Sequence, residues 1–90
     1  MKSRTTKQFR ALFGELPADV RAEGRKAYGL FLRNPGHPSL HYERIAGNLH
    51  SVRITRGYRA LGTVDGDRAV WFWAGSHDDY DRLIARWRQG

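Results

Sequence analysis

The sequence contains no cysteine, which excludes a disulfide framework, a thiolate zinc site and a cysteine nucleophile. It also has no apolar run near the roughly 20 residues that cross a bilayer, so we expect no membrane partner. The basic residues at its start lead into no continuous apolar segment, so we expect no secretory signal. These absences favour a protein of the reducing cytoplasm.

Motifs for common chemistries are missing as well. The sequence has neither a glycine-rich phosphate loop nor a serine nucleophile elbow. His37 and His41 have the spacing of a helical metal clamp, but Pro38 and its neighbours disfavour a helix there. The acidic segment 78–81 is more simply explained as a partner of a helix dipole than as a cation site. We therefore expect no metal, cofactor or small-molecule ligand.

Positive charge dominates what is present. Sixteen basic residues against nine acidic residues give a net charge of +7, and all but three of the basic residues are arginine. Arginine presents a planar fork of donors that fits phosphate, whereas lysine is a point charge. A merely soluble, arginine-rich protein remains one interpretation. We favour a partner that is a polyanion or an acidic protein.

Ninety residues suffice for one core, and we predict a single domain over 1–90. Helical spacing of apolar residues over 9–16 predicts a first helix, which Thr5 or Thr6 can cap. Pro17 ends that helix and suits the start of a second one. The short connection between the two helices predicts an antiparallel helical hairpin. The helix-breaking residues of segment 34–39 end the second helix.

After segment 34–39, apolar residues recur at every second position, which is typical of strands. We predict strands over 49–55, 58–64 and 69–74, and a short additional strand over 43–46. In the third of these strands we expect Val70, Phe72 and Ala74 on one face and the tryptophans on the other. A final helix follows, capped by Ser76 or His77. The prediction is an α+β fold in which a helical hairpin precedes a three- to four-stranded antiparallel meander and a C-terminal helix, with no strand before the hairpin.

Arginine and histidine near strand ends are the candidates for chemistry. Arg53 and Arg59 flank a tight turn, so they are either two solvated residues or two cations converging on a phosphate. His77 lies at a strand-to-helix junction, where it caps the helix, bonds an aspartate or acts as a general acid or base. Candidates for a second proton-transfer group are Lys7, His41 and His50.

Two segments resemble the RelE/ParE toxin superfamily. Segment 52–62, VRITRGYRALG, is similar to the strand pair of that superfamily, and segment 71–83, WFWAGSHDDYDRL, is similar to its strand-to-helix junction. The resemblance implies a RelE-like fold and a toxin of a type II toxin–antitoxin pair, silenced by an acidic antitoxin. Most characterised RelE-type members cut mRNA, usually on the ribosome, whereas ParE-type members inhibit DNA gyrase.

The resemblance also assigns residues. Arg59 falls where RelE-type enzymes hold a phosphate-binding arginine, and Arg53 falls near a catalytic lysine or arginine. His77 falls where members protonate the leaving group, and Tyr80 approximates a catalytic tyrosine of the last helix. The implied function is a metal-independent, ribosome-dependent mRNA endoribonuclease; a non-catalytic gyrase inhibitor or an inactive RNA- or protein-binding relative are the alternatives. The expected RNA-binding residues are Lys7, Arg56 and Arg82.

Overall fold

A five-stranded sheet separates two helical layers in the computed structural model, which describes residues 2–89. The elements follow in the order β1 (Lys2–Thr5), α1 (Lys7–Gly14), α2 (Ala18–Arg33), a 3-10 turn (Pro38–Leu40), β2 (Glu43–Ala46), β3 (Leu49–Thr55), β4 (Tyr58–Asp65), β5 (Arg68–Ser76) and α3 (His77–Gln89). The strand order is β1-β5-β4-β3-β2, and the four strands after the hairpin form an antiparallel meander. The predicted fold class is confirmed.

Strand β1 is the element that the sequence did not predict. It pairs in parallel with β5, from Lys2 opposite Arg68 to Thr5 opposite Trp71. The four residues KSRT show no apolar alternation, because β1 is a sheet edge with one partially exposed face. Its position is held instead by polar contacts, since the Ser3 hydroxyl accepts hydrogen bonds from Trp71 Nε1 at 3.1 Å and from the Tyr28 hydroxyl at 2.9 Å.

The helical hairpin covers one face of the sheet. Thr6 caps α1 by accepting a hydrogen bond from the Phe9 amide at 3.0 Å. A Cβ at Gly24 of α2 would lie 2.6 Å from the Phe13 ring, so the glycine lets the two helices approach. The hairpin and this face of the sheet bury the larger hydrophobic cluster, which comprises Leu16, Val20, Phe31, Leu40, Val52, Ala60, Ala69, Trp71 and Ala74.

The predicted face assignment in β5 is wrong because the strand contains a bulge. Leu61 pairs with Trp73 and Gly62 pairs with Trp71, which leaves Phe72 as an extra residue. The extra residue reverses the alternation, so Trp71 and Ala74 both belong to the hairpin cluster. Phe72 and Trp73 pack with the cluster on the opposite face.

Helix α3 covers part of that opposite face. Ser76 caps the helix, as its hydroxyl accepts a hydrogen bond from the Asp79 amide at 3.1 Å. Tyr80 and Ile84 of the helix pack against Leu49 and Leu61 of the sheet. Among the described residues, no helix is long and apolar enough to cross a membrane.

The bulge predicts a strict requirement for glycine at position 62. A Cβ there would lie 2.7 Å from the Val70 carbonyl oxygen and 2.5 Å from the Trp71 ring, and the carbonyl belongs to the adjacent backbone. We expect Gly62→Ala to lower the free energy of unfolding by about 1–3 kcal/mol, as overpacking does. Urea unfolding measures the change. Gly14→Ala is the control, because nothing lies within 4 Å of its Cβ, and equal stability of the two variants would contradict the prediction.

Candidate active site

Two arginines lie side by side on the face of the sheet that carries α3. Arg53 of β3 and Arg59 of β4 are direct cross-strand partners next to the turn that joins these strands. Both share their face with Leu49 and Leu61, because alternate residues of a strand point to the same side. Arg59 is only 7% exposed, whereas Arg53 is half-buried. The two arginines are therefore neighbours across the strands, and the Arg53 side chain also borders a groove toward α2 that includes Glu23 and Lys26.

The buried Arg59 is held by neutral groups. Its Nη2 donates to the Ser51 hydroxyl at 2.8 Å and to the His41 carbonyl at 3.1 Å. Its guanidinium carbon lies 5.0 Å from the centroid of the Tyr80 ring, a cation–π contact. Its Nε is buried and has no hydrogen-bond partner among the described residues. A buried N–H donor without an acceptor favours binding of a ligand that supplies one, such as an oxyanion.

His41 contacts both arginines. It ends the 3-10 turn with a φ of 45°, a left-handed conformation in which histidine is more common than most residues. In this conformation its carbonyl meets Arg59 while its Nε2 lies 3.1 Å from Nη1 of Arg53. A guanidinium only donates, so Nε2 is the acceptor in this contact.

His77 lies at the same end of the sheet. Its amide donates to the Gly57 carbonyl at 2.7 Å, which joins the start of α3 to the β3–β4 turn. Its ring meets the Tyr80 ring edge-on, with centroids 5.6 Å apart. Its Nδ1 lies 3.1 Å from Oδ2 of Asp81. Because Ser76 caps the helix, the imidazole bonds the aspartate and takes no part in capping.

Tyr80 lies between the groups that carry charge. It is 3% exposed, and its hydroxyl donates to Ser51 at 3.1 Å. Its ring contacts the Arg59 guanidinium on one side and the His77 imidazole on another. Through these contacts, Tyr80 can hold the Arg59 and His77 side chains in position.

The remaining candidates are spread over the molecule. Arg56 is exposed in the β3–β4 turn, beside the start of α3. Arg82 points away from the sheet on α3 and pairs with Asp79 at 3.3 Å. Lys7 begins α1, in the hairpin layer on the opposite face. Of these three candidates, only Arg56 lies in the turn that joins the strands of the two arginines.

His50 belongs to the hairpin face. Its ring stacks on Tyr42 with centroids 5.1 Å apart, and Tyr42 in turn meets Phe31 edge-on. Burial raises the pKa of the Tyr42 phenol, which is therefore neutral near pH 7. Of the three candidates for a second proton-transfer group, only His41 contacts the arginines.

Two residues of the site were not singled out from the sequence. Ser51 and Arg53 are two positions apart in β3, so the sequence places them on the same face of the strand. Nothing in the sequence marked Ser51 as a functional residue. Asp81 lies four positions after His77 on a helix, a spacing that brings side chains together. That spacing was a usable signal, which the interpretation of 78–81 as dipole partners obscured.

Comparison with known families shows to which family the chain belongs. A model of the ParE-like toxin domain matches residues 18–82, which include the arginine pair, His41 and His77. The chain belongs to this family. It is a toxin domain of the RelE/ParE superfamily, as the resemblance of the two segments predicted.

Solved structures share the fold of the toxin. A chain of the RelB–RelE antitoxin–toxin complex from Methanococcus jannaschii aligns with a TM-score of 0.72 at 15% identity, over 88% of this chain and 95% of that one. YafQ from E. coli aligns with a TM-score of 0.69 at 9% identity, over 88% and 96%. A chain of the RelBE2 toxin–antitoxin complex from Mycobacterium tuberculosis aligns with a TM-score of 0.67 at 21% identity, over 84% and 96%. No curated protein sequence matches significantly.

The buried guanidinium predicts that phosphate stabilises the toxin. An anion that binds the native state raises the melting temperature, on the order of 4 °C or more for each kcal/mol contributed in a domain of this size. We expect inorganic phosphate to raise the melting temperature above that in chloride at equal ionic strength. Arg59→Met should lose this increment and Arg82→Met, an exposed arginine on the outer side of α3, should retain it. An increment that persists in Arg59→Met would contradict the prediction.

Proposed function

We propose that this toxin is a metal-independent endoribonuclease that cleaves mRNA on the ribosome. The observation that carries the proposal is the buried Arg59 guanidinium, whose Nε has no partner among the described residues, with Arg53 opposite it and His41 in contact with both arginines. Both arginines can donate to the non-bridging oxygens of one phosphate, where negative charge develops during the reaction. Thirteen arginines among the toxin's 90 residues provide the wider positive field that holds an RNA backbone.

Cleavage requires two proton transfers around that phosphate. The 2′-hydroxyl attacks the adjacent phosphorus, the bond to the 5′-oxygen breaks, and the products are a 2′,3′-cyclic phosphate and a 5′-hydroxyl. His77 supplies the proton to the departing 5′-oxygen. His41 accepts the proton of the 2′-hydroxyl, since its Nε2 is already an acceptor toward Arg53. When Arg53 turns to the phosphate, this nitrogen becomes free for the 2′-hydroxyl.

The mechanism predicts that each histidine is required separately. We expect His77→Ala and His41→Asn each to lower the cleavage rate on the order of 10²–10⁴-fold, the usual contribution of general acid or base catalysis. Asparagine tolerates the left-handed backbone of position 41, so its carbonyl continues to hold Arg59. Single-turnover cleavage of a labelled mRNA on ribosomes measures the rates.

The control for both variants is His50→Phe, which preserves an aromatic stack on Tyr42 on the opposite face. We expect this control to cleave at the wild-type rate. Its stability is measured alongside, because phenylalanine lacks the contact of His50 Nδ1 with the Asn48 carbonyl at 2.8 Å. Full activity of His77→Ala would exclude the acid assignment, and full activity of His41→Asn would exclude the base assignment.

The same site predicts dependence on the ribosome. The proposed base, His41, contacts Arg53 in the free protein and must exchange this partner for the 2′-hydroxyl. The reaction therefore benefits from RNA held with the 2′-oxygen in line with the leaving group. We expect weak cleavage of free mRNA and efficient cleavage of the same mRNA in programmed ribosomes. Both should weaken as salt rises, because phosphate contacts are screened. Equal cleavage in the two settings at one salt concentration would reject ribosome dependence and leave the ribonuclease assignment intact.

Inhibition of DNA gyrase is the second candidate, which the match to a ParE-like family model favours. Such an inhibitor needs the basic surface but not a titratable group at His77. Expression of the toxin without a partner separates the two functions. Fragmented mRNA with rapid loss of translation supports cleavage, whereas a DNA-damage response with intact mRNA supports gyrase inhibition. Cells that grow normally indicate an inactive relative.

An acidic antitoxin is the expected partner, since two of the structural neighbours come from toxin–antitoxin complexes. A groove of about 200 Å³ between the hairpin and the sheet offers it an apolar surface, lined by Phe9, Phe13 and Trp71. Arg25 flanks this groove, with its guanidinium 6.0 Å from the Phe13 ring. An acidic amphipathic segment complements both features. Mixing the toxin with each neighbouring gene product tests this, and failure to form a stable complex would count against it.

A further inference from the structure

The pair formed by His77 and Asp81 is not explained by the needs of the helix. Ser76 already caps α3, and the interior of the fold is closed by Tyr80 and Ile84. The two side chains are 45% and 55% exposed, so their ion pair contributes little to stability. They nevertheless lie with Nδ1 and Oδ2 3.1 Å apart, one helical turn from each other.

We propose that Asp81 is a positioning residue that fixes the His77 imidazole for proton transfer. A carboxylate only accepts hydrogen bonds near neutral pH, so Nδ1 of His77 carries a proton in both charge states of the ring. The proton that the ring releases is then the one on Nε2, on the side away from Asp81. This inference rests on the proposed function, in which His77 protonates the leaving oxygen.

The other groups that contact His77 do not fix the tautomer of its imidazole ring. The Tyr80 ring restrains the imidazole from one side through an edge contact, which limits tilt but does not choose between the nitrogens. The hydrogen bond from the His77 amide to the Gly57 carbonyl fixes the backbone of His77 but leaves its side chain free to rotate. Without the carboxylate, a neutral imidazole in water favours the tautomer with its proton on Nε2, which is the reverse of the arrangement described. Asp81 therefore sets both the rotamer and the tautomer of the ring.

A matched control lies on the same helix. Asp79 is 61% exposed and pairs with Arg82 at 3.3 Å, so it resembles Asp81 in charge and exposure but does not contact His77. Asp81→Asn and Asp79→Asn remove the same charge near the same helix start. Any effect on the helix dipole or on RNA attraction is therefore common to the two variants.

The first test observes the ring directly and requires no RNA. Nitrogen-15 chemical shifts of the imidazole, recorded at about pH 8.5 where histidine is ordinarily neutral, distinguish a proton on Nδ1 from one on Nε2. We expect His77 to carry its proton on Nδ1 in the wild type and in Asp79→Asn, and largely on Nε2 in Asp81→Asn. The same tautomer in all three proteins would overturn the proposal.

The second test compares cleavage by the three proteins on programmed ribosomes. We expect Asp81→Asn to lower kcat on the order of 10–100-fold, as loss of a partner that orients a histidine does elsewhere, with KM unchanged. Asp79→Asn should keep the wild-type kcat. A tautomer change without loss of kcat, or an equal loss in both variants, would also overturn the proposal. If the wild type cleaves no RNA, the proposed function fails, while the nitrogen shifts still decide whether Asp81 orients the ring.

Discussion

The buried guanidinium of Arg59 is the constraint around which one end of the molecule is organised. Removing a cation from water costs several kcal/mol unless polar groups replace its hydration. The toxin meets that cost with a serine hydroxyl, a backbone carbonyl and the face of a tyrosine ring. All three are neutral, so the positive charge is solvated without being cancelled. In the proposed function, this means that the phosphate meets a cation that is already oriented and dehydrated.

The two faces of the sheet differ in how much of their area is buried in a hydrophobic cluster. The hairpin face buries the larger hydrophobic cluster, with Phe31 and Trp71 packed edge to face. The opposite face has a smaller cluster around Leu61 and Ile84, which leaves the other end of that face to polar side chains. Because the larger hydrophobic cluster lies on the hairpin face, the α3 face can accommodate a buried arginine. Bulges in β3 and β5 adjust the strands on either side of β4 near this site.

Sequence periodicity was sufficient to predict the hairpin, the meander and the last helix, because each follows from local spacing. It also paired Arg53 with Arg59, since residues that flank a tight turn face each other. It did not predict β1, whose Ser3 contacts a partner 68 positions away in the chain and whose residues show no alternation. The β5 bulge was equally hidden, because it is a change of register between strands that periodicity within one strand does not show. His41 reaches the site through a left-handed backbone angle, which no periodicity reveals.

The parallel pairing of β1 with β5 affects how the chain folds during its synthesis. The first strand is synthesised before every other element, yet its partner comes near the end. Throughout most of translation β1 is thus an unpaired segment, and the sheet closes only after long-range contacts form, which are the slow ones in folding. Tyr80 and His77 arrive later still, on the last helix. Until α3 has been synthesised, the chain therefore lacks the contacts that join Tyr80 and His77 to the rest of the candidate site.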